Sequence, residues 1–117
     1  MKQSFTVSVK LPGANDCLWK HWRTFRNIKQ AAQREIGVAI RRAKLKPMQY
    51  ARISFEWREP DQKRDFDNIM FAQKFVLDAL VASEILQDDG WAYVTEIRHV
   101  VVMNPALPGV HVTLEER

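Results

Sequence analysis

The chain has 117 residues, of which 46% are hydrophobic and 27% charged, with only four glycines and five prolines; this predicts one globular domain over residues 1–117 and excludes a disordered, collagen-like or coiled-coil chain. The single cysteine excludes an internal disulfide, and no apolar run reaches the length of a signal peptide or a membrane helix, so we expect a cytoplasmic protein with no membrane contact. Charge is uneven, with 13 Lys and Arg against 3 Asp and Glu in residues 1–58, and 5 against 11 in residues 59–117.

Two helices and four strands are predicted in chain order. Residues 3–11 and 50–57 alternate apolar and polar side chains, which is typical of half-buried strands. The second helix is apolar nearly all round, so we expect it to be largely buried. The order β-α-β-α-β-β predicts an α+β single domain, with a mixed sheet of about four strands and two helices. The predicted bounds are 3–11, 18–43, 50–57, 67–81, 94–103 and 110–114.

The first helix carries most of the basic charge. Residues 20–46 contain nine Lys and Arg and one acidic residue. This density favours a polyanionic partner, of which nucleic acid is the commonest; the alternative is a solvated helix face. Trp19 and Trp22 interleave with these charges, and they either stack on exposed bases or pack the helix against the sheet. The residues expected to hold phosphates are Lys20, Arg23, Arg26, Lys29, Lys63 and Arg64.

Two carboxylates, Asp65 and Asp67, stand two residues apart where the chain enters the second helix. Alternate side chains of extended backbone share a face, so the two can converge on one cation. Oxygen ligands of this kind suit Mg²⁺ or Mn²⁺. The alternative is structural: Asp67 caps the helix N-terminus and Asp65 is solvated. Farther along, Asp88-Asp89-Gly90 is a common turn signal that, beside such a pair, can supply a third carboxylate.

A lysine and an aspartate interrupt the apolar helix predicted for residues 67–81. At about 100° per residue, Lys74 and Asp78 fall within about 20° of Asp67, so the three side chains form one stripe. Either Lys74 and Asp78 pair with each other, or Lys74 lies near a phosphate or attacking water and Asp78 orients it. The sequence has no P-loop and no G-x-G-x-x-G motif, so no nucleotide cofactor is expected.

Jointly, these motifs resemble the core of the RusA family of Holliday junction resolvases. Members of that family are small, Mg²⁺-dependent, homodimeric endonucleases, often carried by phages and prophages. In the best-known members the lysine follows the acidic pair about one helical turn sooner, so Lys74 is aligned through its spacing to Asp78. The resemblance covers residues 63–90 and lies in Arg64-Asp65-Phe66-Asp67-Asn68, Lys74, Leu77-Asp78-Ala79-Leu80 and Ile85-Leu86-Gln87-Asp88-Asp89.

The resemblance implies a crossover junction endodeoxyribonuclease that resolves Holliday junctions by paired phosphodiester hydrolysis in DNA recombination and repair. It makes Asp65, Asp67 and Asp89 the catalytic acids and metal ligands, and Lys74 a catalytic lysine. Mg²⁺, or Mn²⁺ in its place, would lower the pKa of water and offset charge on the scissile phosphate. A four-way junction has near two-fold symmetry, which suits the two related sites of a homodimer. The resemblance also places Asn68, Asp78 and Asp88 at positions next to these catalytic residues.

Two alternatives stay open: a nuclease for flaps, forks or single strands, and a noncatalytic DNA-binding protein whose acids only cap and solvate. The metal site also has two possible locations, because the predicted helix separates Asp67 from Asp89 by about 22 Å. Either residues 82–88 run back along the helix, or Asp89 joins the acidic pair of the other subunit in a dimer with antiparallel helices. Ile85 and Leu86 favour the second solution because they are expected to be buried.

Overall fold

The computed structural model describes residues 1–116, which form four strands and four helices. Two of these helices are long, and the other two have four and five residues. The elements are, in chain order, β1 (Lys2–Val7), α1 (Ala14–Cys17), α2 (Trp22–Ala43), β2 (Ala51–Glu59), α3 (Phe66–Met70), α4 (Gln73–Ala82), β3 (Val94–Met103) and β4 (Gly109–Glu115).

The four strands form one mixed sheet in the order β1-β4-β2-β3. β4 pairs antiparallel with both β1 and β2, whereas β2 and β3 run parallel. A parallel pair needs a crossover connection, and here the segment that contains α3 and α4 connects β2 to β3. The predicted α+β class, the mixed four-stranded sheet and the order of the main elements are confirmed.

The hydrophobic core lies between one face of the sheet and the two long helices. Ile53, Phe55 and Trp57 alternate along β2 and are almost completely buried, as their period of two predicts. α2 contributes Ile36 and Ile40 to the same cluster. α4 is largely buried, as its composition predicts, through Phe75, Val76, Leu77, Ala79 and Leu80.

Among residues 1–116, no helix combines the length and the apolar character needed to cross a membrane.

The start of the predicted helix over residues 18–43 is wrong. A short helix, α1, precedes it, and Trp19 then takes a left-handed backbone conformation with φ 68°. α2 begins only at Trp22, where Nδ1 of His21 accepts a hydrogen bond from the Arg23 N–H at 3.2 Å. This side-chain acceptor satisfies one of the N–H groups that a helix start leaves unpaired.

The predicted helix over residues 67–81 is two helices, α3 and α4. They meet at Ala72, which is fully buried and whose N–H bonds three residues back instead of four. This tighter pattern is typical of a 3₁₀ turn between helical segments. The stripe predicted through Asp67, Lys74 and Asp78 assumed one continuous helix and therefore loses its basis.

Candidate functional site

A buried ion pair fixes the loop that carries the acidic residues. Glu59 ends β2 on the core face and is only 4% exposed. Arg64 donates to both of its carboxylate oxygens, from Nε at 2.8 Å and from Nη2 at 2.7 Å. The Nη1 group of Arg64 also donates to the Leu11 carbonyl at 3.1 Å. A two-pronged, charge-assisted contact of this kind holds the loop after β2 against the sheet and against the N-terminal segment.

Asn68 ends the acidic motif, residues 64–68, and hydrogen-bonds to the same N-terminal segment. Its side chain is buried, and Oδ1 accepts a hydrogen bond from the Asn15 N–H at 2.9 Å. Gly13 lies so close that a Cβ built there would stand 2.3 Å from Asn68 Oδ1 and 2.8 Å from Arg64 Nη1. Only glycine fits this position without displacing the motif. Asn68 therefore has a packing and hydrogen-bonding role here, and the supporting role at a metal site stays a prediction.

Between these two anchors, Asp65 and Asp67 form an exposed acidic pair. Asp65 is the N-cap residue of α3 in extended conformation, yet its side chain makes no capping hydrogen bond. Asp67 Oδ1 accepts a hydrogen bond from the adjacent Asn68 N–H at 3.0 Å. No ion pair within residues 1–116 uses either carboxylate. The structural alternative named the wrong residue as the N-cap, which is Asp65 and not Asp67. Its expectation that the side chain of Asp65 is solvated agrees with the structure.

Asp65 borders an open cleft of about 580 Å³ between the motif loop and the end of β3. Phe66, which separates the two acids, is 64% exposed at its rim. Asp67 lies inside α3 and does not line this cleft, so the extended backbone on which the predicted convergence depended holds only for Asp65. Exposed carboxylates are ligands that Mg²⁺ uses together with water and substrate phosphates. The other residues that line the cleft are Glu59, Asp61, Gln62, Arg64, Ile69, Val101, Val102 and Met103.

The second acidic segment, Asp88 and Asp89, is an exposed turn before β3. Its one side-chain hydrogen bond is local, from the Asp89 N–H to Asp88 Oδ1 at 2.8 Å. Just before it, Ile85 and Leu86 are buried, as predicted, and the Ile85 carbonyl accepts from the Met48 N–H at 2.8 Å. This bond places the acidic turn beside the segment that leads into the start of β2.

The sheet register separates the two acidic segments. β2 and β3 are parallel, with Ala51 opposite Val94 at one end and Glu59 opposite Met103 at the other. The acidic pair follows the end of β2, whereas the acidic turn precedes the start of β3. The two segments therefore lie near opposite ends of a strand pair that is about 26 Å long, at about 3.3 Å per residue. Within residues 1–116, no three His, Cys, Asp or Glu side chains are grouped so that they could hold a metal ion.

The predicted partnership between Lys74 and Asp78 is not formed. Asp78 pairs with Lys29 of α2, with 3.6 Å between the side-chain nitrogen and oxygen. This contact links the two long helices, so Asp78 supports helix packing and not the lysine. Lys74 is exposed near the start of α4 and has no ion pair within the described residues.

The residues predicted to hold phosphates divide into available and occupied groups. Lys20, Arg23 and Arg26 are exposed at the start of α2, and no ion pair among residues 1–116 engages them. Lys29 is engaged by Asp78. Arg64 is only 12% exposed in its pair with Glu59, so its predicted phosphate contact does not fit the structure. Lys63, next to it, is exposed.

A hydrogen-bonded histidine was not predicted as a link between α4 and the sheet. Trp57 Nε1 donates to His99 Nδ1 at 2.9 Å, and His99 Nε2 lies 2.8 Å from Gln73 Oε1. Because an indole N–H can only donate, the imidazole must be neutral with its proton on Nε2. Burial lowers the pKa of His99, which keeps it in this form.

Glu59 is the other residue of the site that was not predicted, although the alternation along β2 indicates that its side chain is buried. The buried alternation of Ile53, Phe55 and Trp57 continues to position 59. A glutamate on the core face needs a buried cation, and Arg64 follows five residues later.

The chain matches no protein-family model, and no curated protein is similar enough to count as a relative.

Proposed function

We propose that the protein is a Mg²⁺-dependent endonuclease that cuts branched DNA, with four-way junctions as its preferred substrate. The single observation that carries this proposal is the exposed acidic pair, Asp65 and Asp67. It stands on a buried structural base formed by Glu59, Arg64 and Asn68. The buried Glu59–Arg64 ion pair and the buried side-chain amide of Asn68 hold the backbone that carries these two carboxylates. The carboxylates themselves make almost no contacts. Exposed carboxylates that no ion pair engages among residues 1–116 are available for cation binding.

The third carboxylate is proposed to come from a second copy of the chain. β3 lies at the edge of the sheet, and its side chains Val100 and Met103 are 57% and 60% exposed. A long edge strand with exposed apolar side chains is a template for pairing with another strand. Antiparallel pairing of two β3 strands about a two-fold axis would set the start of one beside the end of the other. Asp89 of the partner subunit would then approach the acidic pair.

Each residue has a separate part in the proposed reaction. Asp65 and Asp67 would hold the metal, which when bound supplies Lewis-acid chemistry at the scissile phosphate and lowers the pKa of water. Lys74, exposed at the start of α4, would stabilise charge that develops on the phosphate. Lys63 would contact the phosphates near the cleft. Farther away, the exposed basic residues of α2 would add affinity without sequence information.

The test is incubation of the protein with a synthetic four-way junction, a flap and a plain duplex, each with Mg²⁺ and with EDTA. We expect symmetric paired nicks in the junction that require the metal, weaker cutting of the flap, and no cutting of the duplex. Mn²⁺ should support the same pattern.

Absence of cutting on every substrate with either metal, together with tight junction binding, would contradict the proposal and favour a noncatalytic DNA-binding protein. Preferential cutting of the flap would assign the protein to the other class of branched-DNA nuclease. Glu84→Gln is the control variant, because Glu84 is an exposed acid that does not line the cleft. It should keep the wild-type pattern.

A further inference from the structure

The link between α1 and α2 contains a tryptophan that combines a left-handed backbone with a fully exposed side chain. Trp19 is 100% exposed and its backbone is left-handed, with φ 68°. A bulky residue in this region of backbone space is an outlier that costs about 1–3 kcal/mol. Because the indole is fully exposed, no packing contact within the described residues offsets the cost of this backbone conformation. Backbone outliers of this kind cluster at active sites and ligand clamps.

Trp22, three residues later, stands among cationic groups. It is 59% exposed as the first residue of α2. The guanidinium carbons of Arg23 and Arg26 lie 5.3 and 5.1 Å from the centre of its ring. A guanidinium that stacks on an indole is held in orientation and keeps its in-plane N–H groups available for phosphate. Trp19, Trp22, Arg23 and Arg26 are called the aromatic–basic patch below.

The core does not use the aromatic–basic patch. Sequence alone left two roles for the tryptophans, and helix packing was one of them. In the structure α2 packs through Phe25, whose ring centre is 6.4 Å from that of Phe75 of α4, and through the buried residues Ile36 and Ile40. The indole of Trp19 is thus fully exposed and that of Trp22 more than half exposed. Both lie at the start of the chain's most basic element, where residues 20–46 hold nine cations and one acid. This charge is complementary to a polyanion that also offers apolar faces.

We propose that the aromatic–basic patch binds unpaired nucleobases of single-stranded DNA, with Trp19 and Trp22 stacking on bases and Arg23 and Arg26 holding the flanking phosphates. Bases in an intact duplex expose no face to an indole, so this site would recognise the open or single-stranded part of a branched substrate. The inference deepens the proposed function by specifying what its DNA substrate must contain, but the binding it describes requires neither metal nor cleavage.

The experiment measures binding in EDTA by fluorescence anisotropy. The probes are a labelled oligothymidylate of about 12 nucleotides, a length suited to one small domain, and a duplex of the same length. Trp19→Ala and Trp22→Ala should each weaken oligothymidylate binding by roughly 5- to 150-fold, the equivalent of about 1–3 kcal/mol per stacked base, and leave duplex binding unchanged. Trp22→Phe should recover part of the affinity because it keeps an aromatic face.

Trp91→Ala is the matched control, because Trp91 is 96% exposed but follows the acidic turn instead of a basic helix. It should bind oligothymidylate as the wild type does. The proposal is overturned if Trp19→Ala and Trp22→Ala bind oligothymidylate normally, or if they lose duplex and single-strand binding equally. It is also overturned if light scattering shows that they dissociate a dimer, since the patch would then be a contact between copies. A protein that binds oligothymidylate through these residues yet never cuts a junction would contradict only the nuclease proposal.

Discussion

The two acidic segments of this protein are built differently. Asp65 and Asp67 stand on a buried base formed by Glu59, Arg64 and Asn68, and that base reaches back to the N-terminal turn. The acidic turn at residues 88–89 contains only a local hydrogen bond. All four carboxylates are exposed, but buried contacts fix the backbone beneath the first pair, and no such contact among the described residues holds the second. This difference is expected if the first set is the fixed half of a site and the second is delivered by another chain.

The largest effect is expected at the acidic pair. Asp67→Asn should reduce junction cleavage by at least about a thousandfold, because metal catalysis supplies several kcal/mol of transition-state stabilisation. Junction binding and the urea midpoint in metal-free buffer should not fall, since Asp67 makes only one backbone contact. Cleavage assays and urea unfolding monitor the two effects. A variant that cuts at the wild-type rate would remove the acidic pair from the mechanism.

The next largest effect concerns the base beneath the pair. Arg64→Met leaves Glu59 buried without its cation and should lower the free energy of unfolding by about 3–5 kcal/mol, measured by urea denaturation. Replacing both Glu59 and Arg64 by Met should restore much of that loss, because no unpaired buried charge is left. Lys63→Met, at the exposed neighbouring position, should have little effect on stability. Equal destabilisation by Lys63→Met and Arg64→Met would argue against the special role of the ion pair.

A pair of glycine substitutions compares the two segments directly. Gly13→Ala places a Cβ 2.3 Å from Asn68 Oδ1, so the motif must shift, at a cost of about 1–3 kcal/mol. Gly90→Ala, beside the acidic turn, meets nothing closer than 3.9 Å and should leave stability unchanged. Thermal unfolding of both variants gives the comparison. If Gly13→Ala were as stable as the wild type, the N-terminal turn could not be part of a rigid base.

The smallest expected effect is a pH dependence of folding stability, caused by a histidine on β3, between the two acidic segments. His99 on β3 bonds to Gln73, the first residue of α4, and burial lowers the pKa of His99 below its usual value near 6.5. As the pH falls through about 6.5, the unfolded chain takes up a proton that the folded chain resists, so stability should decrease. The decrease should continue until the pH passes the lowered pKa of the folded state. Urea midpoints between pH 7.5 and about 5 should show this slope.

His99→Gln should flatten that slope, whereas His111→Gln, in β4, should preserve it. An unchanged slope in His99→Gln would assign the pH dependence to other groups.

Local patterns in the sequence predicted most of the fold. The alternation through Ile53, Phe55 and Trp57 predicted β2 and its buried face, and 94–103 matches the bounds of β3. The break between α3 and α4 was missed because neither Gly nor Pro marks it. The left-handed Trp19 was missed because a tryptophan gives no local signal for that conformation.

The candidate site was predictable in composition but not in geometry. Asp65, Asp67 and Asp89 stand out as a motif, yet their separation depends on the parallel register of β2 with β3, which is a nonlocal property. The partner of Asp78 is likewise set by helix packing, which brings Lys29 to it. Only the buried Glu59 had a readable signal, since it continues the alternation of β2 onto the core face.

The most direct test of a site shared between subunits is to mix two inactive proteins, Asp67→Asn and Asp89→Asn. In a mixed dimer one site carries both substitutions and the other carries none, so nicking of a four-way junction should return. With random subunit exchange it should reach about a quarter of the wild-type rate. A mixture of Asp65→Asn with Asp67→Asn is the control and should stay inactive, because every site keeps a substitution. If the Asp67→Asn and Asp89→Asn mixture also stays inactive after subunits have exchanged, the shared metal site is contradicted.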